Sequence, residues 1–488
     1  MLRFLLRKRL HRTTLFCVLL LGILAGVALS SVLRVPVQGW YVVIWLPAVF
    51  YGLRKLVVGA ALLLLVVGVG LGFSQGILFK ESLEPYQSLQ DKKVVLLGVI
   101  EEDPTYSSKG NRQIFISDIE LEQGSAAQKL PGSLFVSSPF SADIRRHDKV
   151  RIEGTLRQGF GQFQGAISFA KITKLSEQQH PIDTFRSAFA ASVTSVLPEP
   201  HAGLGLGFVI GLKSALPADM EDALRDLSLT HIIVASGYNL TILIRAAKRL
   251  REKHSKLQTL LLSFGLIGLF LGITGASPSM VRAGLVSGLT VLAWYYGRQF
   301  KPLVLLLFVM ALTAFFYPPY LWGDLGWWLS FAAFAGIMIV VPLLIERFWK
   351  GRQPSFVGQI ALEALVAQLM TLPIILLVFG NLSVLGIVAN VLIVPFIPFA
   401  MIATTLAGFA QMVLPTIAPY AALPAHAILA VIVSAVKLLS AVPWATVSLQ
   451  ISLTALIAWY VAITGIISMM WLRLSRQQKR IVLEQQIV

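Results

Sequence analysis

The sequence of 488 residues contains little charge and almost no cysteine. Asp, Glu, Lys and Arg make up 13% of it, 56% of the residues are hydrophobic, and the mean hydropathy is +0.75. Soluble globular domains are far less apolar, so this composition excludes a cytosolic enzyme. The single cysteine, Cys17, lies in an apolar run, which excludes an intrachain disulfide and a thiolate metal cluster.

Sequence motifs for metal and nucleotide chemistry are also missing. The seven histidines are scattered, and none has the H-x-H or H-E-x-x-H spacing of a zinc hydrolase. The sequence contains no phosphate-binding G-x-x-x-x-G-K-[ST] pattern, so no ATP-driven motor is predicted within it. We therefore expect no metal, no cofactor and no enzyme activity.

Long apolar runs occur in two blocks and predict a polytopic α-helical membrane protein. A bilayer core of about 30 Å takes roughly 20 residues of helix. The twelve predicted spans are residues 13–33, 38–53, 56–79, 229–245, 257–274, 279–297, 302–317, 325–345, 357–379, 383–411, 425–442 and 449–472. A further apolar segment, 201–216, is short and suits a re-entrant or interfacial helix.

Basic residues cluster on one side of these predicted spans. With a cytoplasmic N-terminus, the inside segments hold 22 of the 41 Lys and Arg, and the short outside loops hold only Arg34. This asymmetry predicts that both termini are cytoplasmic and that residues 80–228 lie outside. A signal peptide cleaved near residues 28–30 is the alternative for the N-terminus, but its apolar run is long for a signal, which favours an uncleaved anchor.

Residues 80–228 have a different character from the apolar blocks. Their 16 Lys and Arg are outnumbered by 19 Asp and Glu, so the net charge of +17 comes from the rest of the chain. Most basic residues there lie in the predicted inside segments, so the net charge mainly indicates membrane topology. Five short stretches alternate apolar and polar residues, at 93–100, 113–116, 133–136, 149–154 and 166–169. They predict a small barrel of the OB type, with a sandwich fragment as the alternative. From 183 to 226 the pattern is helical, with a helix start near Pro217.

Together these patterns divide the chain into five predicted segments. They are a three-span membrane segment (1–79), an extracytoplasmic OB-like β domain (80–180), an amphipathic or re-entrant connector (181–228), a multi-span channel core (229–474) and a cytoplasmic tail (475–488).

Polar side chains inside predicted spans are costly unless they face protein or water, so they are the first candidates for a functional site. Arg282 follows the loop 276–279, where its side chain either reaches the interface or meets a phosphate. Asp324 lies among tryptophans and could cap a helix in an aromatic belt. The full set of candidates is His231, Ser236, Gly237, Asn239, Ser279, Arg282, Asp324, Ser330 and Asn390. For any single Ser or Gly, backbone bonding or helix packing is the competing explanation.

Five segments between about residues 200 and 400 resemble signatures of the ComEC family of competence proteins. The run HIIVASGYN at 231–239 is similar to the family's H-L-L-A-x-S-G-L-H, and PSMVRA at 278–283 is similar to P-S-x-x-R-A. The others are 207–217, similar to G-x-x-x-G-x-x-x-x-L-P, 323–332, similar to D-x-G-F-Q-L-S-F-A, and 390–395, similar to N-L-x-x-x-P. They agree in order and spacing, and the predicted external barrel extends the resemblance over most of the chain.

The resemblance implies a channel for import of single-stranded DNA during natural transformation, in the cytoplasmic or inner membrane. Its implied partners are DNA-receptor or pilus components and a cytoplasmic helicase-like ATPase. Long family members carry a metallo-β-lactamase-like C-terminal domain with an H-x-H-x-D-H motif, and this chain is expected to be a short form without that nuclease. Asn239 replaces a common His and Trp328 a common Gln, which puts a proton-linked role at those positions in doubt.

Two alternatives to a DNA channel stay open on the residues alone. One is a transporter or intramembrane enzyme for a smaller anionic or lipid-linked phosphate, with Arg282 as the anion contact and His231 or Glu363 as acid or base. The other is a membrane scaffold without a pore.

Basic and aromatic residues of the predicted barrel are candidates for binding DNA outside the membrane. The basic candidates are Arg145, Arg146, Lys149, Arg151 and Arg157, with Phe160, Phe163 and Phe169 as nearby rings for base stacking. The alternative explanation for this run is a solvated strand face.

Overall fold

The computed structural model describes eleven stretches of the chain, which form two compact units. The stretches are residues 10–33, 58–106, 111–123, 126–139, 144–177, 180–212, 216–230, 239–240, 255–275, 277–298 and 301–487. The first unit, called the barrel unit, lies within residues 1–189, 210–214 and 236–328. The second, called the C-terminal helical unit, lies within residues 190–209, 215–235 and 329–488.

The barrel unit contains helices from both halves of the chain. They are α1 (Arg12–Val32), α2 (Val58–Ser82), α3 (Glu84–Leu89), α4 (Pro181–Val196, continuing into the second unit), α5 (His201–Ile210, mostly in the second unit), α7 (Lys256–Thr274), α8 (Pro278–Tyr295), α9 (Pro302–Phe316) and α10 (Pro319–Gly323). Proline begins α8 and α9, where its missing N–H removes no helical hydrogen bond.

Eight strands lie between α3 and α4. They are β1 (Lys93–Ile100), β2 (Thr105–Tyr106), β3 (Arg112–Gln123), β4 (Ala126–Leu130), β5 (Leu134–Ser138), β6 (Lys149–Gln158), β7 (Gly165–Ser168) and β8 (Lys171–Ser176). Five of them, β1, β3, β5, β6 and β7, correspond to the five predicted stretches.

These five strands close into a barrel. Neighbours follow the order β1-β3-β5-β7-β6, and β6 pairs with β1 to complete the ring. All pairings in the ring are antiparallel except β5 with β7, which is parallel. Counted along the chain, the order is 1-2-3-5-4, the Greek-key barrel of an OB fold. Closure excludes the sandwich alternative.

Alternation along the strands explains why the barrel has a core. In β1 and β5 every second residue is buried, because successive side chains of a strand point to opposite faces. Leu96, Leu134 and Ile152 are fully buried inside. The apolar alternation seen in the sequence therefore corresponds to the barrel interior.

The C-terminal helical unit consists almost entirely of helices. They are α6 (Ala218–Asp226), α11 (Leu325–Ala335, whose first turn belongs to the barrel unit), α12 (Val341–Trp349), α13 (Phe356–Val378), α14 (Gly386–Ile393), α15 (Ile397–Val413), α16 (Ala418–Ser440) and α17 (Leu453–Ile487). A two-stranded sheet joins β9 (Asn381–Ser383) to β10 (Thr446–Ser448), and so pairs two loops that the charge pattern places on the same side.

Three of the predicted spans in this unit differ from the sequence-based expectation. The span 325–345 contains a π-helical turn at Gly336–Val340 between α11 and α12. The span 383–411 is interrupted at Val394–Phe396 by a 3₁₀ turn, because Pro395 has no N–H for a continuous α-helix. The last helix begins at Leu453 and continues to Ile487, past the predicted end at residue 472.

Eight described helices are long and apolar enough to cross a membrane. They are 12–32, 58–89, 256–274, 325–349, 356–378, 386–413, 418–440 and 453–474. The helices α8 and α9, with 18 and 15 residues, are not among them. Of the other predicted spans, 38–53 and nearly all of 229–245 lie outside the described residues. The chain is therefore a membrane protein with a small barrel domain.

Glycines bring α1 and α2 into close backbone contact. The contact glycines are Gly22, Gly26, Gly68 and Gly72. A Cβ at Gly22 would lie 2.7 Å from the carbonyl oxygen of Leu65, and one at Gly72 would overlap the carbonyl oxygen of Ile23. Small residues allow such approach between helices in a membrane, where packing replaces the hydrophobic effect.

We predict that Gly72→Ala lowers the thermal midpoint of the full-length protein in detergent. The added methyl group must displace the backbone of α1, at a cost of about 1–3 kcal/mol. Gly268→Ala on α7 is the matched control, since nothing lies within 4 Å of the Cβ it would add. Alanine favours a helix over glycine, so the control should be neutral or stabilising. Equal midpoints for the two variants would contradict the packing assigned to α1 and α2.

Candidate functional site

Several helices of the barrel unit bond to one another at their ends. Lys80 donates from Nζ to the carbonyl oxygens of Ser30 and Ser31 at 2.9 and 2.8 Å, at the end of α1. Trp322 Nε1 donates to the Val27 oxygen at 2.9 Å. We call residues 272–275, 277–282 and 317–328 the rim, because Gly272, Tyr317 and Gly323 within them contact the barrel.

The barrel loop between β6 and β7 lies against the rim. Gln164 accepts a hydrogen bond from the N–H of Ser133 and donates to the Tyr317 hydroxyl at 2.9 Å, and Tyr317 donates to the carbonyl oxygen of Gln162 at 2.8 Å. A Cβ at Gly323 would lie 3.4 Å from the Cα of Gly161. The loop and the rim therefore lie in backbone contact at Gly161 and Gly323.

A second contact joins the barrel to the end of α7. Arg146 donates from Nη2 to the carbonyl oxygen of Gly272 at 2.8 Å and lies 3.0 Å from Asp183 Oδ1. The last carbonyl groups of a helix accept no hydrogen bond from within the helix. The Arg146 guanidinium supplies a donor to one of them, and its positive charge interacts favourably with the negative end of the helix dipole. Burial lowers the pKa of Arg146, as does the neighbouring Arg186, while Asp183 and Asp103 oppose the shift.

This placement corrects the expectation for Arg146. Its side chain is only 6% exposed, so it is not a basic residue on an open groove. Asp183 also lies 2.5 Å from His147 Nδ1 and 3.7 Å from Arg186, and Arg186 forms an ion pair with Asp103. The network ties the barrel to α4 and to α7. The sequence could not indicate this, because its members are spread over 80 residues and more.

The remaining basic candidates lie near or on β6. Arg145 and Arg157 are exposed, and Lys149 is half-buried. Arg151 lies 2.8 Å from Glu122 and 3.4 Å from Glu153, so two carboxylates already balance its charge. Binding of DNA by these basic residues stays a prediction. Among them, Arg157 has the surroundings that suit a DNA contact best.

Arg282 and Asp324 both contact the start of α11. Asp324 Oδ1 accepts hydrogen bonds from the N–H groups of Gly326 at 2.8 Å and Trp327 at 3.2 Å, which is the geometry of a helix cap. Arg282 is 3% exposed and donates from Nη2 to the carbonyl oxygen of Gly326 at 3.0 Å. The two side chains therefore fix the same turn of backbone, and Arg282 does not extend toward a membrane surface.

Other candidates are distributed over both units. Asn239 is buried in the barrel unit, and Ser279 is exposed with its hydroxyl 3.3 Å from that of Ser277. Ser330 is half-buried in the C-terminal helical unit, where Asn390 donates to the carbonyl oxygen of Gly386 one turn earlier. Such a bond is the local backbone bonding expected of a polar residue in a helix. His231, Ser236 and Gly237 lie outside the described residues.

The two positions that depart from the family pattern have different surroundings. Trp328 is exposed and donates from Nε1 to the carbonyl oxygen of Leu321 at 3.2 Å. Asn239 is nearly fully buried.

Glu363, the acid considered for the smaller-anion alternative, accepts a hydrogen bond from Gln359 at 2.8 Å.

Two residues of the barrel, Phe115 and Phe135, were not among the aromatic candidates chosen from the sequence. Phe115 on β3 and Phe135 on β5 form a cluster with Phe160 and Phe163, whereas Phe169 is 75% exposed on another loop. The sequence does contain a signal for Phe115 and Phe135, because each occupies an outward position between two buried residues of its strand. The pairing of β3 with β5, which brings them together, could not be read from the sequence.

The fold and the site define a polytopic helical membrane protein whose small OB-type barrel is bonded to helix ends within its unit. The family described as Competence protein matches residues 208–474, more than half of the chain. The chain belongs to this family of competence proteins, the ComEC family.

Two relatives agree with this assignment. ComE operon protein 3 of Bacillus subtilis (strain 168) is 27% identical over 252 residues, which cover 49% of this chain and 31% of that protein. An uncharacterized protein of Aquifex aeolicus (strain VF5) is 26% identical over 181 residues, covering 35% of this chain and 40% of the relative. The chain thus matches less than half the length of either. No solved structure matches it.

We predict that Asp183→Leu lowers the thermal midpoint, because Arg146 and Arg186 would stay buried without their shared carboxylate. Removing one partner of a buried ion pair costs up to about 3 kcal/mol at a site that is partly open to water. Glu221→Leu is the matched control, since Glu221 pairs with Arg225 on an exposed helix face, where such a pair contributes about 0–1 kcal/mol. A midpoint for Asp183→Leu no lower than for the control would contradict the role of the network.

A separate prediction concerns the cap at Asp324. Asp324→Ala should destabilise the protein by about 1 kcal/mol, while Asp324→Asn, whose side-chain oxygen still accepts from the N–H groups, should lose little. Thermal denaturation of both variants measures the difference. If asparagine is as damaging as alanine, the charge beside Arg282 matters more than the cap.

Proposed function

We propose that this chain is a channel in the cytoplasmic or inner membrane through which single-stranded DNA is imported during natural transformation. The observation that carries the proposal is the family match over residues 208–474, which contains Arg282, Asp324 and Asn390. The matched region contains six of the eight described helices that are long and apolar enough to cross a membrane, so it supports a path across the membrane through these helices.

The proposed topology has twelve spans, with both termini in the cytoplasm and residues 80–228 outside. The distribution of Lys and Arg supports it. The contacts of the barrel give independent support, because the helix ends at Gly272 and Tyr317 both belong to the side predicted to be outside. A barrel on the other side could not contact them.

The rim would be the entry of the channel. A polyanion passes most easily where polar groups meet its phosphates without holding them tightly. Ser279 is exposed there, while the buried Arg282 holds the Gly326 carbonyl and thereby the start of α11. We therefore propose that Arg282 holds the entry in shape and attracts phosphate at long range, without contacting the phosphate directly.

The proposed channel is passive and carries out no catalysis. The sequence has no phosphate-binding loop, so a separate cytoplasmic helicase-like ATPase would supply the energy, and DNA-receptor or pilus components would deliver the strand. Transport of a smaller phosphate is the competing function, and it would leave DNA uptake independent of this gene.

We predict that Arg282→Ala abolishes or strongly reduces the entry of labelled DNA into a protected compartment, with membrane insertion unchanged. The loss follows because the buried guanidinium no longer orients α11 at the rim. Arg298→Ala is the matched control, since Arg298 is an exposed cation just beyond the other end of α8. Uptake by Arg282→Ala equal to that of the control would remove Arg282 from the channel, and uptake that persists after gene deletion would overturn the proposed function.

A further inference from the structure

A cluster of four phenylalanines forms one patch on the outside of the barrel. Phe115 and Phe135 are paired across β3 and β5 with 6.0 Å between ring centroids. The ring of Phe163 lies 4.9 Å from that of Phe115, and the ring of Phe160 lies 5.2 Å from that of Phe135. We call these four residues the aromatic face.

The aromatic face is not part of the barrel core. The residues next to Phe115 and Phe135 along the strands, among them Ile114 and Val136, are buried inside, so the phenylalanines point outward. Phe160 is 53% exposed, and the other three rings are partly exposed. A contiguous apolar patch on a polar domain marks an interaction surface.

A cation lies in the same row of side chains. The strand register aligns Phe115 with Phe135, Phe135 with Ala166, and Ala166 with Arg157. Residues directly paired across strands point to the same side of a sheet. Arg157 is exposed, and none of the ion pairs among the described residues involves it, in contrast to Arg151. The row therefore combines stacked rings with an available positive charge.

The position in the fold agrees with this chemistry. The strands β3 and β5 are the second and third of the five-strand barrel, and Phe160 and Phe163 lie on the loop between its fourth and fifth strands. This face and this loop are where OB barrels bind oligonucleotides. Aromatic rings stack with any base, and a neighbouring cation attracts the phosphates.

We infer that the aromatic face binds single-stranded nucleic acid, with bases stacked on Phe160 and Phe163 and a phosphate near Arg157. This inference deepens the proposed function and rests on it, because the loop that carries both phenylalanines touches the rim at Gly161 and Gly323. A strand bound there is delivered beside Arg282. The other exposed basic residues are not required.

The test measures binding of fluorescein-labelled oligothymidine to the full-length protein in lipid nanodiscs by fluorescence anisotropy. Loss of two stacking rings in the Phe160→Ala, Phe163→Ala double variant should weaken binding at least about tenfold. Phe169→Ala is the matched control, because it removes an exposed barrel phenylalanine outside the cluster and should bind like the unchanged protein. A blunt duplex of the same length should bind all three proteins alike, since its bases are not free to stack.

Two further variants separate stacking from folding and from charge. Phe160→Leu keeps an apolar side chain but removes the ring, so it should weaken binding several-fold, whereas Phe160→Trp should restore it. Arg157→Gln should reduce the slope of log affinity against log salt by about 0.7, the contribution of one phosphate contact on a single strand.

Unchanged oligothymidine affinity in the double variant overturns the inference. The inference is also overturned if the double variant still binds oligothymidine but no longer binds phosphatidylglycerol vesicles, because the aromatic face would then be a lipid anchor. Binding is measured without passage across a membrane. Failure of the channel proposal, seen as DNA uptake that persists after gene deletion, is therefore distinguished from failure of nucleic-acid binding at the aromatic face.

Discussion

Polar backbone groups at the ends of apolar helices need partners, and within the barrel unit the barrel and its flanking residues supply them. Arg146 donates to the carbonyl oxygen of Gly272 in the last turn of α7, and Lys80, shortly before the barrel, donates to the carbonyl oxygens of Ser30 and Ser31 at the end of α1. The Tyr317 hydroxyl, just past α9, donates to the barrel loop at Gln162. An unsatisfied carbonyl in a dry site costs free energy comparable to a lost hydrogen bond. The barrel is thus part of how these helices end, and its orientation on the rim follows from these bonds.

The same constraint explains why charge in this protein is placed so unevenly. Cations beside the described helix ends, such as Lys80 and Arg146, bond carbonyl oxygens or carboxylates and hold the structure. Arg282 likewise bonds a carbonyl and is buried. A function that involves phosphate therefore depends on few exposed groups, and Arg157 beside the aromatic face is the clearest of them.

Much of the fold was predictable because its signals are local. The alternation at 93–100 and 149–154 predicted β1 and β6, and apolar runs predicted α1, α7, α8 and α13 within a few residues. The cap at Asp324 was also predictable from its place before a tryptophan-rich helix. The burial of Arg146 was not, because it depends on Gly272 and Asp183, which are far away along the chain.

The sequence by itself determined the membrane class, the family and the five strands of the barrel, because each follows from composition or from a short pattern. Only the tertiary structure decided which residues share a site. Strand order and register brought Phe115, Phe135 and Arg157 into one row, and helix ends brought Arg282 to Asp324 through Gly326. Those contacts join residues 20 to more than 40 positions apart, and side-chain periodicity carries no information about such pairings.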